Sequence, residues 1–228
     1  MPIILNIDTA TEHAGVCLSR GADILRLIET TEQKNHASFV QPAIAELAGS
    51  TGIALKDIDA VAVTAGPGSY TGLRVGLASA KGICYALQKP LILINTLETM
   101  AQAVIQETRL PVSDKPLRLC PMIDARRMEV FTALYDADLN ELQPPHALVL
   151  DEGSFGALLE THGLLFSGNG SPKVRPLLSH PHAYFTGVQH TAAHLAARAL
   201  IAYQSNRFAD LAYSEPLYTK EFFDPRAS

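Results

Sequence analysis

The stretch from Ala65 to Thr96, AGPGSYTGLRVGLASAKGICYALQKPLILINT, limits the possible folds of this chain more than any other. An apolar run, Ile58 to Val63, leads into a Gly66-Pro67-Gly68 turn, after which Ser69 or Thr71 offers a side chain to cap a helix. The pattern predicts a helix from Gly72 to Gln88, stopped by Lys89-Pro90 before a second apolar run, Leu91 to Ile94. Strand, helix and strand with short joints make a βαβ unit, so its two strands are expected to lie parallel and adjacent.

The helix is unusually apolar. At about 100° per residue, Gln88, Lys81, Arg74 and Tyr85 fall on one narrow band, and every other direction is apolar or small. A helix lying on a sheet needs an apolar arc of only about 100°, so something covers this one on a second side. Gly72, Gly76 and Ala80 recur every four residues as a small-residue ridge that admits another backbone. Each glycine within a helix costs about 0.5–1 kcal/mol relative to alanine. Two readings follow: the helix is buried in its own domain, or it docks a partner. Gly76→Leu is expected to leave the fold largely intact and abolish pairing with a partner, whereas a ridge facing the chain's own sheet would make the same change lower stability.

With 228 residues the chain suits two closely packed lobes. Its net charge of −5 and the lack of any Lys/Arg cluster argue against a nucleic-acid surface of its own. Cys17, Cys84 and Cys120 are far apart and form no CxxC pair, so they read as reduced core thiols. No leader and no apolar run of membrane-spanning length is evident, which points to the cytoplasm and away from a membrane.

Along the chain, Ile3 to Asp8, Ala14 to Ser19 and Asp23 to Glu29 read as a three-stranded meander. His36 to Ala48 reads as a helix with Phe39, Val40, Ile44 and Leu47 on one face, ended by Gly49. The βαβ unit follows, and Thr96 is expected to cap a third helix reaching Glu107. The linker-like stretch Pro111 to Pro116 places a boundary between lobes 1–110 and 111–228. The pattern then restarts, since Met122-Ile123-Asp124-Ala125-Arg126 echoes Asn6-Ile7-Asp8-Thr9-Ala10, strand and carboxylate and polar turn alike. Strands are expected at Leu117–Asp124, Glu129–Tyr135, Ala147–Leu150 and Leu164–Ser167, and helices at Gly153–Thr161, from Ser171 and at Thr191–Gln204, with an apolar-aromatic tail from Leu211 to Phe223. Two copies of this unit describe an α/β, duplicated ribonuclease-H-like fold, the two-lobed architecture of the actin-like ATPase superfamily.

The run AGPGSYTGLRVGLASAKG resembles the signature of the TsaB (YeaZ) family, and ILNIDTATEHAGVCL, NTLETMA and IDARRMEVFTALY match that family in the same order. The resemblance is dense in the first lobe and thin in the second. It implies a non-catalytic subunit of the bacterial tRNA threonylcarbamoyladenosine system, pairing with the catalytic paralogue TsaD and the ATPase TsaE. The complex modifies the adenosine next to the anticodon, and tRNA is met only through that complex. In the family the helices matching 36–48 and 72–88 pack on their counterparts, so the implied interface residues are His36, Phe39, Val40, Ala43, Ser69, Tyr70, Gly72, Val75, Gly76, Ser79 and Ala80. Alone, the chain is expected to form a homodimer through the same helices.

The contending reading is an active enzyme of the same fold, an ATP phosphotransferase or a metallopeptidase. Gly66-x-Gly68 opens a helix, but its spacing to Gly72 is not G-x-G-x-x-G, Pro67 removes a donor, and a Walker lysine is missing. Asp8, Thr9 and Thr11 stand where the superfamily places its first phosphate loop and Asp124 where it places the second, while Gly168-Asn169-Gly170 suggests a vestigial adenosine site. Neither aspartate is followed by glycines, so each is expected to accept amide hydrogen bonds at a turn. His190 and His194 have the i, i+4 spacing of a metal pair without the glutamate of H-E-x-x-H, and no metal is expected there. No catalytic residue and no cofactor is expected on the chain alone, and the place left for ATP or ADP is the joint with partner subunits.

Overall fold

The computed structural model describes residues 1–32 and 36–219, with the side chain of His36 also outside the described set. Two five-stranded mixed sheets carry the chain. The first has β1 (Ile3–Asp8), β2 (Ala14–Arg20), β3 (Asp23–Thr30), β4 (Ala60–Gly66) and β5 (Leu91–Asn95), in the order β3-β2-β1-β4-β5. The second has β6 (Leu117–Asp124), β7 (Glu129–Tyr135), β8 (Glu141–Val149), β9 (Gly163–Ser167) and β10 (Ala183–Phe185), in the order β10-β9-β6-β7-β8. Strand for strand the order is the same, and in both sheets the first three strands pair antiparallel while the last two add in parallel. The repeat read between Asn6–Ala10 and Met122–Arg126 is therefore the end of β1 and the end of β6. This is the duplicated ribonuclease-H-like fold.

The helices are α1 (His36–Thr51), α2 (Tyr70–Leu87), α3 (Thr96–Glu107), the single turn α4 (Gly156–Leu159) and α5 (Ala192–Gln204). Both faces of the first sheet are covered, which explains why its parallel strands are apolar throughout. Leu5, Ile7, Val61 and Val63 point toward α1 and α2, and the alternate Ile4, Ala60, Ala62 and Ile92 point toward Leu195, Ala199 and Ala202 of α5. Alanine against alanine lets α5 lie close to the strands.

Two helices pack across the boundary between lobes 1–110 and 111–228. The last helix of the chain, α5, crosses back onto the first sheet, while Leu97, Met100, Ala101 and Val104 of α3 pack on Leu119, Ile123 and Leu165 of the second. Each crossing helix buries an apolar face that its own neighbours in sequence leave uncovered.

Several boundaries differ from the sequence reading for local reasons. Gly49 stays within α1, which runs on to Thr51 and ends at Gly52, where φ is 68°. α2 starts two residues early because Ser69, not Thr71, caps it, its side chain accepting from the Gly72 amide. Asn95 rather than Thr96 caps α3, accepting from Leu97 N at 2.8 Å. The strand expected at 147–150 is the nine-residue β8, whose Pro144 and Pro145 hide it in sequence and are tolerated because it is an edge strand. The helix expected at 153–161 shrinks to α4, and β10 is too short to leave a pattern. The tail is described only to Thr219, so Phe222 and Phe223 lie outside the described residues. Among the described residues no helix is long and apolar enough to cross a membrane.

Candidate partner-docking face

The turn into α2 is built by close backbone approach to the β1–β2 turn. The Ser69 amide donates to Ala10 O at 2.7 Å, and Thr9 Oγ1 donates to Gly72 O at 2.7 Å. A Cβ on Gly72 would lie 2.0 Å from Thr9 O, and one on Gly76 would lie 2.4 Å from Thr9 Oγ1 and 3.3 Å from a Val63 methyl. Only glycine fits at these two positions. The Gly72–Gly76–Ala80 ridge thus faces the chain's own turn and sheet, and the expectation that it meets a partner is corrected: all three residues are buried in the first lobe.

The remaining interface candidates divide. Val40 and Ala43 belong to the core beneath α1, because they share its inward face with Ile44 and Leu47, so they too are corrected from partner contact to internal packing. Phe39 and Val75 are half-buried against the same core. Ser69 and Ser79 are half-buried, Ser69 as the cap of α2, and Tyr70 is exposed. His36 opens α1, and its side chain lies outside the described set.

The face that α2 shows to solvent is a different one. Thr71, Ala78, Gly82 and Ala86 are exposed, and nothing stands within 4 Å of a Cβ built on Gly82. Between α1 and α2 runs a groove of 330 Å³ lined by Gln41 of α1, by Leu55, and by Ala78, Ser79, Gly82, Ile83, Ala86 and Leu87 of α2. α1 adds the exposed Ala37, Ser38, Gln41, Pro42 and Ala45. Small side chains across two neighbouring helices make a shallow surface on which a further helix backbone can lie close. A signal for it was present in the sequence, since Ala78 and Gly82 lie on the wheel beside Arg74 and Tyr85, the polar band that marks the outward direction.

That band is itself covered in part by the chain. After α5 the tail returns along α2. The Ala209 amide donates to Leu91 O at 2.8 Å, and the Leu217 amide to Ala65 O at 2.7 Å. Lys81 Nζ donates to Ala212 O and Ser214 O at 3.1 and 3.0 Å, and Arg74 Nε to Tyr218 Oη at 3.0 Å. The second cover that the apolar helix calls for is therefore its own tail on one flank and α1 on the other.

The candidate nucleotide residues are placed behind the surface. Asp8 is buried, and its Oδ1 accepts from the Ala10 amide at 3.1 Å and from Thr64 Oγ1 at 2.9 Å. Its Oδ2 lies 3.3 Å from His190 Nε2, an ion-pair distance at which neither buried atom makes a hydrogen bond. Burial pushes the Asp8 carboxyl up, but His190, the Ala10 amide and the Thr64 hydroxyl outweigh it and hold the group below its ordinary value of 3.8. Thr9 is taken by Gly72. Of the three candidates only Thr11 borders the 270 Å³ cleft between the lobes, which Glu12 and His13 share with Asn169, Ser171 and Arg175.

At the end of β6, Asp124 Oδ1 accepts from Lys173 Nζ at 2.6 Å and from the Arg126 amide at 2.6 Å. Burial pushes its carboxyl up, and the Lys173 ammonium beside it brings it below the ordinary value. Asn169 joins the lobes, accepting from the Asp124 amide at 2.9 Å and donating to Glu12 Oε2 at 2.6 Å. Both aspartates act as turn-organising acceptors.

His190 and His194 are engaged separately. His194 Nδ1 accepts from the Thr191 amide at 2.9 Å, closing a capping box at the start of α5, and its Nε2 lies 2.8 Å from Glu107 Oε1. A ring accepting at Nδ1 and donating at Nε2 is the neutral tautomer. Burial holds its pKa below 6.5 despite the neighbouring Glu107. Among the described residues no group of three His, Cys, Asp or Glu side chains is placed to hold a metal ion.

The family profile described as TsaD, tRNA N6-adenosine threonylcarbamoyltransferase, matches residues 27–214. The tRNA threonylcarbamoyladenosine biosynthesis protein TsaB of Escherichia coli (strain K12) is 35% identical over 137 residues, 60% of this chain and 56% of that protein. TsaB of Bacillus subtilis (strain 168) is 34% identical over 132 residues, 58% and 54% of the two chains. The chain spans about half the length of these curated relatives. YeaZ from Pseudomonas aeruginosa superposes with a TM-score of 0.79 at 23% identity, over 96% of this chain and 100% of that one, a likeness of fold. With most of its residues matched by that profile, the chain belongs to the tRNA N6-adenosine threonylcarbamoyltransferase (TsaD) family, and within it stands with the TsaB (YeaZ) proteins.

Proposed function

We propose that this chain is a non-catalytic subunit of a tRNA threonylcarbamoylation complex, and that the outward face of α1 and α2 docks a TsaD-like catalytic paralogue. The observation that carries the reading is the exposed, small-residue face of α2, Thr71–Ala78–Gly82–Ala86, beside the groove to α1. An exposed helix gains nothing from a mid-helix glycine, which costs about 0.5–1 kcal/mol relative to alanine. Close approach by another helix gives the glycine a use.

The absence of chemistry of its own is part of the same proposal. Support comes from the two aspartate turns: Thr9 is tied to Gly72, Asp8 lies behind the surface, and Lys173 already neutralises Asp124. A nucleotide, ATP or ADP, belongs in this account at the joint with partner subunits, a TsaE-like ATPase among them, and tRNA is met through the complex. In the absence of the paralogue the same face pairs two copies of the chain. The setting is the cytoplasm, in keeping with Cys17, Cys84 and Cys120, each buried and unpaired.

The test is reconstitution. Threonylcarbamoyl incorporation into tRNA by the paralogue and the ATPase is measured with and without this chain, and the proposal expects sustained incorporation only with it. Equal incorporation without the chain contradicts the proposal.

A further inference from the structure

Where the segment after α3 meets β9 and β10 lies a further pocket, of 420 Å³. Arg109, two residues beyond α3, and Arg175, from the connection between β9 and β10, both border it, and none of its lining residues is an aspartate or glutamate. Among the described residues neither arginine makes an ion pair. Glu107, the carboxylate nearest to Arg109 in sequence, already faces His194, its Oε1 lying 2.8 Å from Nε2. Two positive charges around one pocket, with no carboxylate to answer them, favour an anion between them.

The walls are prepared for such a ligand. The Arg175 guanidinium lies over the Phe185 ring, 4.5 Å from its centroid. The planar fork is thus held on β10 before anything binds, and less freedom is lost on binding. The Thr108 and Thr186 hydroxyls are 3.4 Å apart, and Thr186 Oγ1 also accepts from the Val188 amide at 3.3 Å. Whichever hydroxyl donates to the other, the one that accepts keeps its own proton for a ligand oxygen. Tyr184 and Phe185 line the same pocket and are half-buried, so a ligand's carbon skeleton has apolar surface to rest on.

We propose that this pocket binds a small organic oxyanion, its carboxylate or phosphate group held between the guanidinium forks of Arg109 and Arg175. The site shares no residue with the groove between α1 and α2, and the proposal does not depend on docking there. With the 270 Å³ cleft it shares only Arg175 and Thr186. A ligand here bridges the end of α3 to β10, the edge of the second sheet, and so ties a segment of the first lobe to the second.

The experiment titrates the full chain calorimetrically with inorganic phosphate and, separately, with citrate, each against sodium chloride of matched ionic strength. Kd is measured for the parent, Arg109→Ala and Arg175→Ala. Both arginines are exposed, so the variants are expected to keep the parent's fold, which their melting temperatures without ligand check. The parent is expected to bind at least one of the two anions with a millimolar or tighter Kd, and each variant to bind it about tenfold more weakly, the loss typical of one charge-assisted partner. Tighter binding of phosphate assigns the site to phosphate esters, and tighter binding of citrate to polycarboxylates. Binding that Arg175→Ala weakens and Arg109→Ala leaves unchanged places the anion in the 270 Å³ cleft and overturns the proposal. It is overturned as well if neither anion binds the parent, or if the parent and both variants bind alike.

Discussion

Thr9 Oγ1 and Gly72 O are 2.7 Å apart, joining the first β-turn of the chain to the first turn of α2. That contact decides which side of α2 is inside. Gly72 and Gly76 let Thr9 fit against the helix, and the opposite face is exposed to solvent.

Gly76→Leu is accordingly expected to damage the fold. Its Cβ alone would stand 2.4 Å from Thr9 Oγ1 and 3.3 Å from Val63. Overpacking of this kind costs about 1–3 kcal/mol, and more where backbone has to move. A thermal melt reads the loss, and a variant as stable as the parent would place the ridge on the surface after all.

Asp8→Ala is expected to lower stability without altering any phosphate chemistry. It leaves the Ala10 amide and the Thr64 hydroxyl without their buried acceptor, at about 1–3 kcal/mol for each orphaned group. Asp8→Asn keeps a carbonyl oxygen in place for both and is expected to recover part of the loss. Urea unfolding of the two variants checks the order, and an Asp8→Ala variant with the parent's midpoint contradicts it.

The duplicated architecture, the central βαβ unit and α5 were legible in sequence because each rests on a long apolar pattern or on a repeated strand-Asp-turn. The orientation of α2 was not. Its four-residue glycine spacing is the same whether the ridge meets a partner helix or the chain's own turn, and only the position of Thr9, 63 residues away, distinguishes the two. The buried setting of Asp8 likewise depends on Thr64 and His190, neither of them near it in sequence. The tail along α2 left no periodic signal, since backbone carbonyls at Ala212 and Ser214 make its contacts with Lys81.

Acid stability carries a signature of His194. Burial holds its imidazole below the ordinary value of 6.5 in the folded chain, so just below that pH the unfolded chain binds a proton that the folded chain refuses. Its contribution is complete above 6.5, falls as pH drops beneath it, and levels off below the folded pKa. Asp8 acts lower down: its depressed carboxyl contributes stability above 3.8 that is lost as pH falls through its folded value. His194→Gln is expected to flatten the pH dependence of unfolding free energy in the window that opens just below pH 6.5. An unchanged slope in that window contradicts the assignment.

The most direct test of the docking face is Gly82→Leu, measured for melting temperature and for co-purification with the catalytic paralogue. Nothing lies within 4 Å of a Cβ at this position, and exchanging a mid-helix glycine for leucine favours the helix by about 0.5–1 kcal/mol. The account predicts a melting temperature at or slightly above the parent's, together with loss of the paralogue from the purified complex. A variant that keeps its paralogue at parental stoichiometry would show that the outward face of α2 is not where the partner sits.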